Sequence, residues 1–307
     1  MRLAVRTRPG RDLWGSIGDV AGGPVHTLIQ ITDLHIGPEG GTARNPVDTF
    51  AVLDRALRAV DEADLRPTAV LFTGDLAEHG TGAEYRRLRG LVDPALARLG
   101  TRPVYVAGNH DDRAALREHL LGQPPGTAPL DQVSWFGNLR VIALDSTVPG
   151  YGYGLVCPPQ LAWLRAELAS PAPDGTVLAL HHPPLPSPVP LSSAIELQNR
   201  EALAEVLMGS DVRMVLAGHT HVVSAGALAG IPVWTGGPIA TMFDGLIEDG
   251  ALRGLASPSV SRIDLFADSV IATNVPFDAA ALINVPAEVM QPQIAALRAQ
   301  LPAAPRG

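Results

Sequence analysis

The sequence predicts an α/β fold in which two β-sheets pack face to face with helices outside, and three observations carry that prediction. Short apolar, β-branched runs alternate with helical patterns up to His221. Beyond it the runs stay short, are separated by Gly or Asp turns, and have no long helix between them. Hydrophobic residues make up 46% of the 307 positions and charged ones 18%, enough to bury a large core.

Taken in order, residues 1 to about 24 are rich in Gly and Arg and read as a loose leader. The strand candidates are HTLIQIT (26–32), TAVLFT (68–73), PVYVA (103–107), RVIAL (140–144), TVLAL (176–180) and RMVLA (213–217). Between the first two, NPVDTFAVLDRALRAVDEA predicts a helix with Asn45 as N-cap and Pro46 at its first position. Phe50, Leu53, Leu57 and Val60 would form its buried face. PPQLAWLRAEL repeats the logic with Leu161, Leu164 and Leu168, and Asp111 or Asp112 can cap RAALREHLL. After His221, VVSAGALAG, IPVWTGG, SVSRIDLFA and SVIATNVP predict a second, more antiparallel sheet packed on the first. The domain is expected over residues 25–277. Residues 278–307 form an appendage with at most one helix, interrupted at Pro292.

Composition narrows the chemistry. A net charge of −8 argues against a nucleic-acid face, which needs clustered cations. There is no lysine, which removes Walker-type phosphate loops, Schiff-base chemistry and Ser-Lys pairs. One cysteine, Cys157, allows neither an intrachain disulfide nor a thiolate cluster and fits a reducing compartment. No signal-peptide pattern opens the chain, and no apolar run approaches the roughly 20 residues that span a bilayer. A soluble, cytoplasmic protein is expected.

The polar residues sit at the ends of strands. HTLIQIT is followed by Asp33 and His35, TAVLFT by Gly74-Asp75, and PVYVA by Gly108-Asn109-His110-Asp111. TVLAL is followed by His181-His182, and RMVLA by Gly218-His219-Thr220-His221. Each motif alone reads as a turn, but five in order, all at the carboxyl edge where open α/β sheets bind ligands, read as one metal site. His26, His79, His119 and His182 do not fill such positions and read as surface or loop residues. Asp145 ends a strand with no imidazole beside it and is expected to bond backbone amides. GYGYG (150–154) does not satisfy the Gly-x-Gly-x-x-Gly spacing, and no Gly-x-Ser-x-Gly elbow is present.

This order of motifs resembles the calcineurin-like metallophosphoesterase superfamily (D-x-H, G-D-x-x-D/E, G-N-H-D/E, H, G-H-x-H) over about residues 25 to 275. The surrounding LFTGDLAEHG, AGNHDDRAALREHLL, PAPDGTVLALHHPPLPS and VRMVLAGHTH are similar to the bacterial class III cyclic-nucleotide phosphodiesterases. The resemblance implies a four-layer αββα sandwich of two mixed β-sheets. It also implies a site in which Asp33, His35, Asp75 and His221 hold one metal ion. Asp75, Asn109, His181 and His219 would hold a second, with Asp75 bridging. The donors contain no thiolate, so iron, manganese, zinc and cobalt all fit, and the resemblance favours iron with manganese or zinc.

By the same resemblance the reaction is in-line attack of a metal-bound hydroxide on 3',5'-cyclic AMP, other cyclic nucleotides and phosphodiesters. Asn109 would orient the phosphoryl oxygens, and His110 would stabilise charge or protonate the leaving oxygen. Glu78, three residues after Asp75, would pair with His110 in place of the family's common aspartate. His79 stands where an arginine often follows, which disfavours the phosphoprotein-phosphatase branch. A homodimer is implied, without an interface legible in the chain. The alternatives on the same site are a glycerophosphodiesterase, a phosphomonoesterase and a nuclease, the last opposed by the acidic surface. An inactive scaffold is opposed by the complete ligand set. Pocket walls are expected from residues 183–196 and 236–250.

Overall fold

The computed structural model describes residues 23–39, 47–246, 251–277 and 282–300. Nearly all of the leader, both Asn45 and Pro46, and the ends of the appendage lie outside the described residues. The first elements are β1 (His26–Ile31), α1 (Thr49–Glu62), β2 (Ala69–Thr73), α2 (Gly82–Leu99) and β3 (Pro103–Val106). A short helix α3 (Arg113–Ala115) runs into a π-turn (Leu116–Leu120), followed by β4 (Gln132–Phe136), β5 (Leu139–Ala143), α4 (Pro158–Glu167) and β6 (Thr176–Ala179). Next come α5 (Pro190–Ser193), α6 (Arg200–Leu207), β7 (Val212–Ala217), β8 (Ser224–Leu228) and β9 (Ile231–Thr235). The chain closes with β10 (Met242–Phe243), β11 (Gly254–Leu255), β12 (Ser259–Leu265), β13 (Val270–Pro276) and α7 (Ala287–Arg298).

All six predicted strands form, and they divide between two mixed sheets. One has the order β13-β12-β1-β2-β3, the other β4-β5-β6-β7-β9-β8. β1, β2 and β3 run parallel, as do β5, β6, β7 and β9. The late strands do not build a second sheet of their own. The β8–β9 hairpin extends the sheet of β6 and β7, while β12 pairs antiparallel with β1 and brings β13 with it. Apolar patterning says that a hairpin is half-buried but not which free sheet edge it completes.

Three apolar cores separate four layers. Ile29, Ile31, Val70 and Phe72 pack under Leu53 and Leu57 of α1 and Leu88 and Val92 of α2. Between the sheets, Leu28, Leu71 and Val106 meet Val141, Val177 and Leu216. On the far side, Ile142, Leu178 and Val215 pack against Leu164 of α4 and Leu203 of α6. The central strands are covered on both faces, which is why they read as continuous apolar runs rather than alternating ones.

Helix starts follow local chemistry. Asp48 caps α1, its side chain accepting from the Ala51 amide, so the cap lies three residues after the expected Asn45. Thr81 and Glu84 form a capping box at α2. Asp112 caps α3, accepting from Ala115 N at 2.8 Å. α7 continues through Pro292 instead of breaking there; the carbonyl that Pro292 cannot reach belongs to Glu288, on an exposed stretch where water can take it.

Asp111 does something different from its neighbour. Its buried carboxylate accepts from Gly108 N (2.8 Å), Leu76 N (3.1 Å), Ala77 N (3.1 Å) and Tyr85 Oη (2.9 Å). One side chain thus ties the loop after β2 to the loop after β3 and both to α2. Removing it strands three buried or half-buried amide donors, each worth about 1–3 kcal/mol. Asp111→Ala is therefore expected to lower the urea unfolding free energy by about 3 kcal/mol or more, and Tyr85→Phe by about 1 kcal/mol. Equal, small losses for both variants would contradict the clamp.

Candidate metal centre

The strand tips are held in an uncommon backbone conformation. Among the described residues seven non-glycines have positive φ, and five of them are Asp33 (51°), His35 (45°), Asp75 (48°), His219 (71°) and His221 (54°). For residues with a Cβ the left-handed region costs about 1–2 kcal/mol each, and such strain collects where the surrounding structure over-determines it. The adjoining glycines are required by close approach. A Cβ on Gly108 would lie 2.1 Å from Asp75 N, and one on Gly218 would lie 2.0 Å from Thr32 Oγ1. Past their last ladder residues, the loops after β1 and β2 stay paired: Asp33 N donates to Gly74 O (3.1 Å) and His35 N to Asp75 O (2.9 Å).

All seven expected ligands come together at this edge. Asp33, His35, Asp75 and His221 offer ligand atoms within 4.8 Å of one another, and all four are buried or nearly so. His35 Nε2 lies 3.2 Å from His221 Nε2 and 3.5 Å from Asp75 Oδ2. His221 Nε2 lies 3.6 Å from Asp33 Oδ1. On the other side, His181 Nε2 lies 3.3 Å from Asp75 Oδ1 and 3.2 Å from Asn109 Oδ1. The His219 ring is 5.0 Å from that of His181, and its backbone N–H donates to Asp33 Oδ1 at 2.9 Å. Asp75 therefore turns one carboxylate oxygen toward each group.

The tautomers follow from the partners. His221 Nδ1 faces Thr241 O (2.6 Å), His181 Nδ1 faces Thr73 O (2.9 Å), and His35 Nδ1 faces a Glu78 carboxylate oxygen (2.8 Å). None of these acceptors can donate, so each Nδ1 carries the proton and each Nε2 keeps its lone pair for the centre. His219 is the reverse: its Nε2 donates to Ile195 O (3.0 Å), which leaves Nδ1 free. Lone pairs on His35 and His221 facing at 3.2 Å, and a third facing two oxygens, repel unless a cation lies among them. The donor set of imidazoles, carboxylates and one amide oxygen therefore fits two divalent ions and gives a soft thiolate-seeking metal no ligand.

The remaining predicted residues take particular places. His110 is exposed, edge-on to His35 with ring centres 4.7 Å apart, and its backbone N–H donates to Asp75 Oδ1 at 2.9 Å. Glu78 does meet His110, but through its backbone oxygen, which accepts from His110 Nδ1 at 2.9 Å; its carboxylate goes to His35. The longer side chain accounts for this, since it can bend back past His110 to the metal-side imidazole. Asp145 accepts from Leu130 N and Thr147 N and pairs with Arg113 Nε at 2.8 Å, outside the centre. Both expected walls touch the site where described: Ile195 O meets His219, and Ala240 N bonds Asp33 O.

His182 departs from expectation. It is fully buried, and its ring lies 4.3 Å from that of His219. Its Nε2 donates to Gly152 O (3.1 Å) and its Nδ1 accepts from Ser146 Oγ (2.8 Å), so no lone pair remains for a metal. It backs a ligand rather than being one. The groups that cover it, Ser146 and Gly152, lie 36 and 30 residues earlier, so nothing local in the chain signals its burial. His79 is exposed on Glu84, as expected; His26 and His119 are partly covered, His26 on Asp174 and Thr68.

Burial and neighbouring charge set the protonation. Burial pushes the Asp75 carboxyl up, but His181, His35 and His110 outweigh it and hold it well below the usual carboxylate range. Burial lowers His35 and His181, yet Glu78 and Asp75 around the first, and Asp75 and Asp33 around the second, leave both raised, His181 to about 9. His219 falls to about 4 through burial and then the His181 charge. His221 is lowered, chiefly by burial.

The sequence pattern of the family described as calcineurin-like phosphoesterase matches residues 26–223. Over 256 residues the chain is 43% identical to a cAMP/cGMP dual specificity phosphodiesterase of Mycobacterium tuberculosis, covering 82% of this chain and 80% of that one. It is 38% identical over 266 residues to a probable cyclic nucleotide phosphodiesterase of Rhodococcus erythropolis, covering 86% and 88%. Among solved structures, a dimetal phosphatase from Danio rerio shares the fold with a TM-score of 0.60 at 17% identity, over 82% of this chain and 96% of that one. No described helix is long and apolar enough to cross a membrane.

Protons and metal ions compete for the same lone pairs, so binding must release protons from His35 and His181. Because both pKa values are raised, the protonated, non-ligating forms dominate at low pH and are lost as pH rises, that of His181 through about 9. Apparent manganese affinity of the metal-stripped protein is expected to climb steadily from pH 6 to pH 9 with measurable proton release in calorimetry. An affinity flat across that range would contradict the assignment.

Proposed function

This chain belongs to the calcineurin-like phosphoesterase family, and we propose that within it the chain is a metal-dependent phosphodiesterase of 3',5'-cyclic nucleotides, cyclic AMP among them. The observation that carries the reading is Asp75, whose two oxygens face His35 Nε2 and His181 Nε2 and so serve two groups of ligands at once. Asp33, His35, Asp75 and His221 would hold one ion; Asp75, Asn109, His181 and His219 would hold the other. Iron with manganese or zinc is the preferred pair. Held by these residues, two divalent ions would neutralise phosphoryl charge and supply a nucleophile from water at neutral pH.

The chain's own groups do the rest. Asn109, beside His181 at the open end of the site, orients a phosphoryl oxygen through its amide. His110 has its Nδ1 proton engaged by Glu78 O, which fixes the ring and leaves Nε2 to carry a proton to the leaving oxygen. The Glu78 carboxylate holds His35 in the tautomer that faces the ions. The similarity to two cyclic-nucleotide phosphodiesterases across most of each chain supports the substrate class. A homodimer acting in the cytoplasm belongs to the same proposal.

Asn109→Ala and His110→Ala are each expected to lower cyclic AMP turnover by about 100-fold or more. Metal content should fall in the first variant and stay near wild type in the second. Chelator treatment should abolish hydrolysis, and manganese should restore it. A stripped sample that turns over phosphodiesters at full rate would overturn the reading.

A further inference from the structure

β5 ends at the same edge as the strands that carry the ligands, yet Asp145 at its tip contributes none. What its loop does contribute is Tyr151 and Tyr153, on the GYGYG segment that fits no dinucleotide motif. Their rings lie 5.2 Å apart at 45°, and Tyr151 is 59% exposed.

This loop is tied to the metal centre. Gly152, between the two tyrosines, accepts from His182 Nε2 at 3.1 Å, and Ser146 holds the other nitrogen of that ring at 2.8 Å. His182 in turn lies against His219. Gly154 lies so close that a Cβ there would come within 2.4 Å of His182 Cγ. Gln198 N bonds Gly154 O at 2.9 Å, in the segment whose Ile195 O fixes His219. The tyrosines are thus one buried histidine removed from a residue that faces the ions, on a backbone pinned from two sides.

A cyclic nucleotide is rigid at its phosphate: the ring fused to the ribose sets the direction of the base once the phosphate is held. Exposed aromatic faces beside a phosphate site suit a nucleobase, because every base has a π-face to stack. Phe243, the aromatic ring that does lie against a site histidine, already has one face stacked on His221 at 4.9 Å and 20°. We propose that Tyr151, backed by Tyr153, is the platform on which the substrate's base stacks. The assignment rests on the cyclic-nucleotide reading above, and it makes the site tolerant of adenine and guanine alike, since stacking reads no hydrogen-bond pattern.

Equilibrium binding separates this claim from that reading. Adenosine 5'-monophosphate and ribose 5-phosphate differ by the base and can be titrated calorimetrically into the manganese-loaded full chain without any turnover. Wild type is expected to bind the nucleotide more tightly by roughly 5-fold or more, the low end of one base–aromatic stack. Tyr151→Ala should erase that preference and Tyr151→Phe should keep it. A wild type that does not distinguish the two ligands, or a Tyr151→Ala variant that still does, overturns the platform. Failure of the cyclic-nucleotide reading registers elsewhere, as absence of cyclic AMP hydrolysis by wild type.

Discussion

Everything at the site depends on two carboxylates buried among four imidazoles. Asp33 is fully buried and Asp75 is 3% exposed, with imidazoles and backbone amides against them. Burying such charge is costly unless it is paired and hydrogen-bonded. Here the pairing is incomplete by design of the tautomers: outer carbonyls and the Glu78 carboxylate take the Nδ1 protons, and the Nε2 lone pairs converge. A proton can relieve this partly, as the raised His181 shows. A divalent cation among the converging lone pairs would relieve it further.

Holding these groups together needs a stiff frame. Parallel strands place their carboxyl ends on one edge, and the turns after β1, β2, β3 and β7 leave that edge through a left-handed residue or a glycine pressed against its neighbour. The turns are short, so side chains two residues apart, Asp33 with His35 and His219 with His221, reach the same cluster. Asp111 locks two of these turns to each other through their amides. His182 and Ser146 do the same between the turn after β6 and the loop after β5. The cores on either side of each sheet keep the strand ends from drifting, so the strain at the tips is confined there.

Much of this was legible in the chain. The six central strands and the five ligand-bearing tips follow from apolar runs ending in Asp, Asn or His, because burial on both faces and a ligand edge leave few other readings. Three things were not legible, for distinct reasons. The sheet to which β12 joins depends on β1 offering a free edge, a long-range fact that local patterning does not encode. The burial of His182 depends on a loop some thirty residues earlier folding back over it. The split role of Glu78, carboxylate to His35 and carbonyl to His110, depends on one methylene of reach. Between Asp111 and Asp112 the chain allowed either cap; geometry gave Asp112 the helix and Asp111 the loops.

The central claim is that one carboxylate, Asp75, serves both halves of a dinuclear centre, and metal stoichiometry tests it most directly. Plasma mass spectrometry of the purified full chain, reloaded with manganese and freed of excess ion, should find about two ions per wild-type chain. In Asp75→Asn both ions should be lost together, because neither group keeps its shared anion. A variant that folds with wild-type circular dichroism and still retains one full equivalent would show that the two groups bind independently, and would contradict the account.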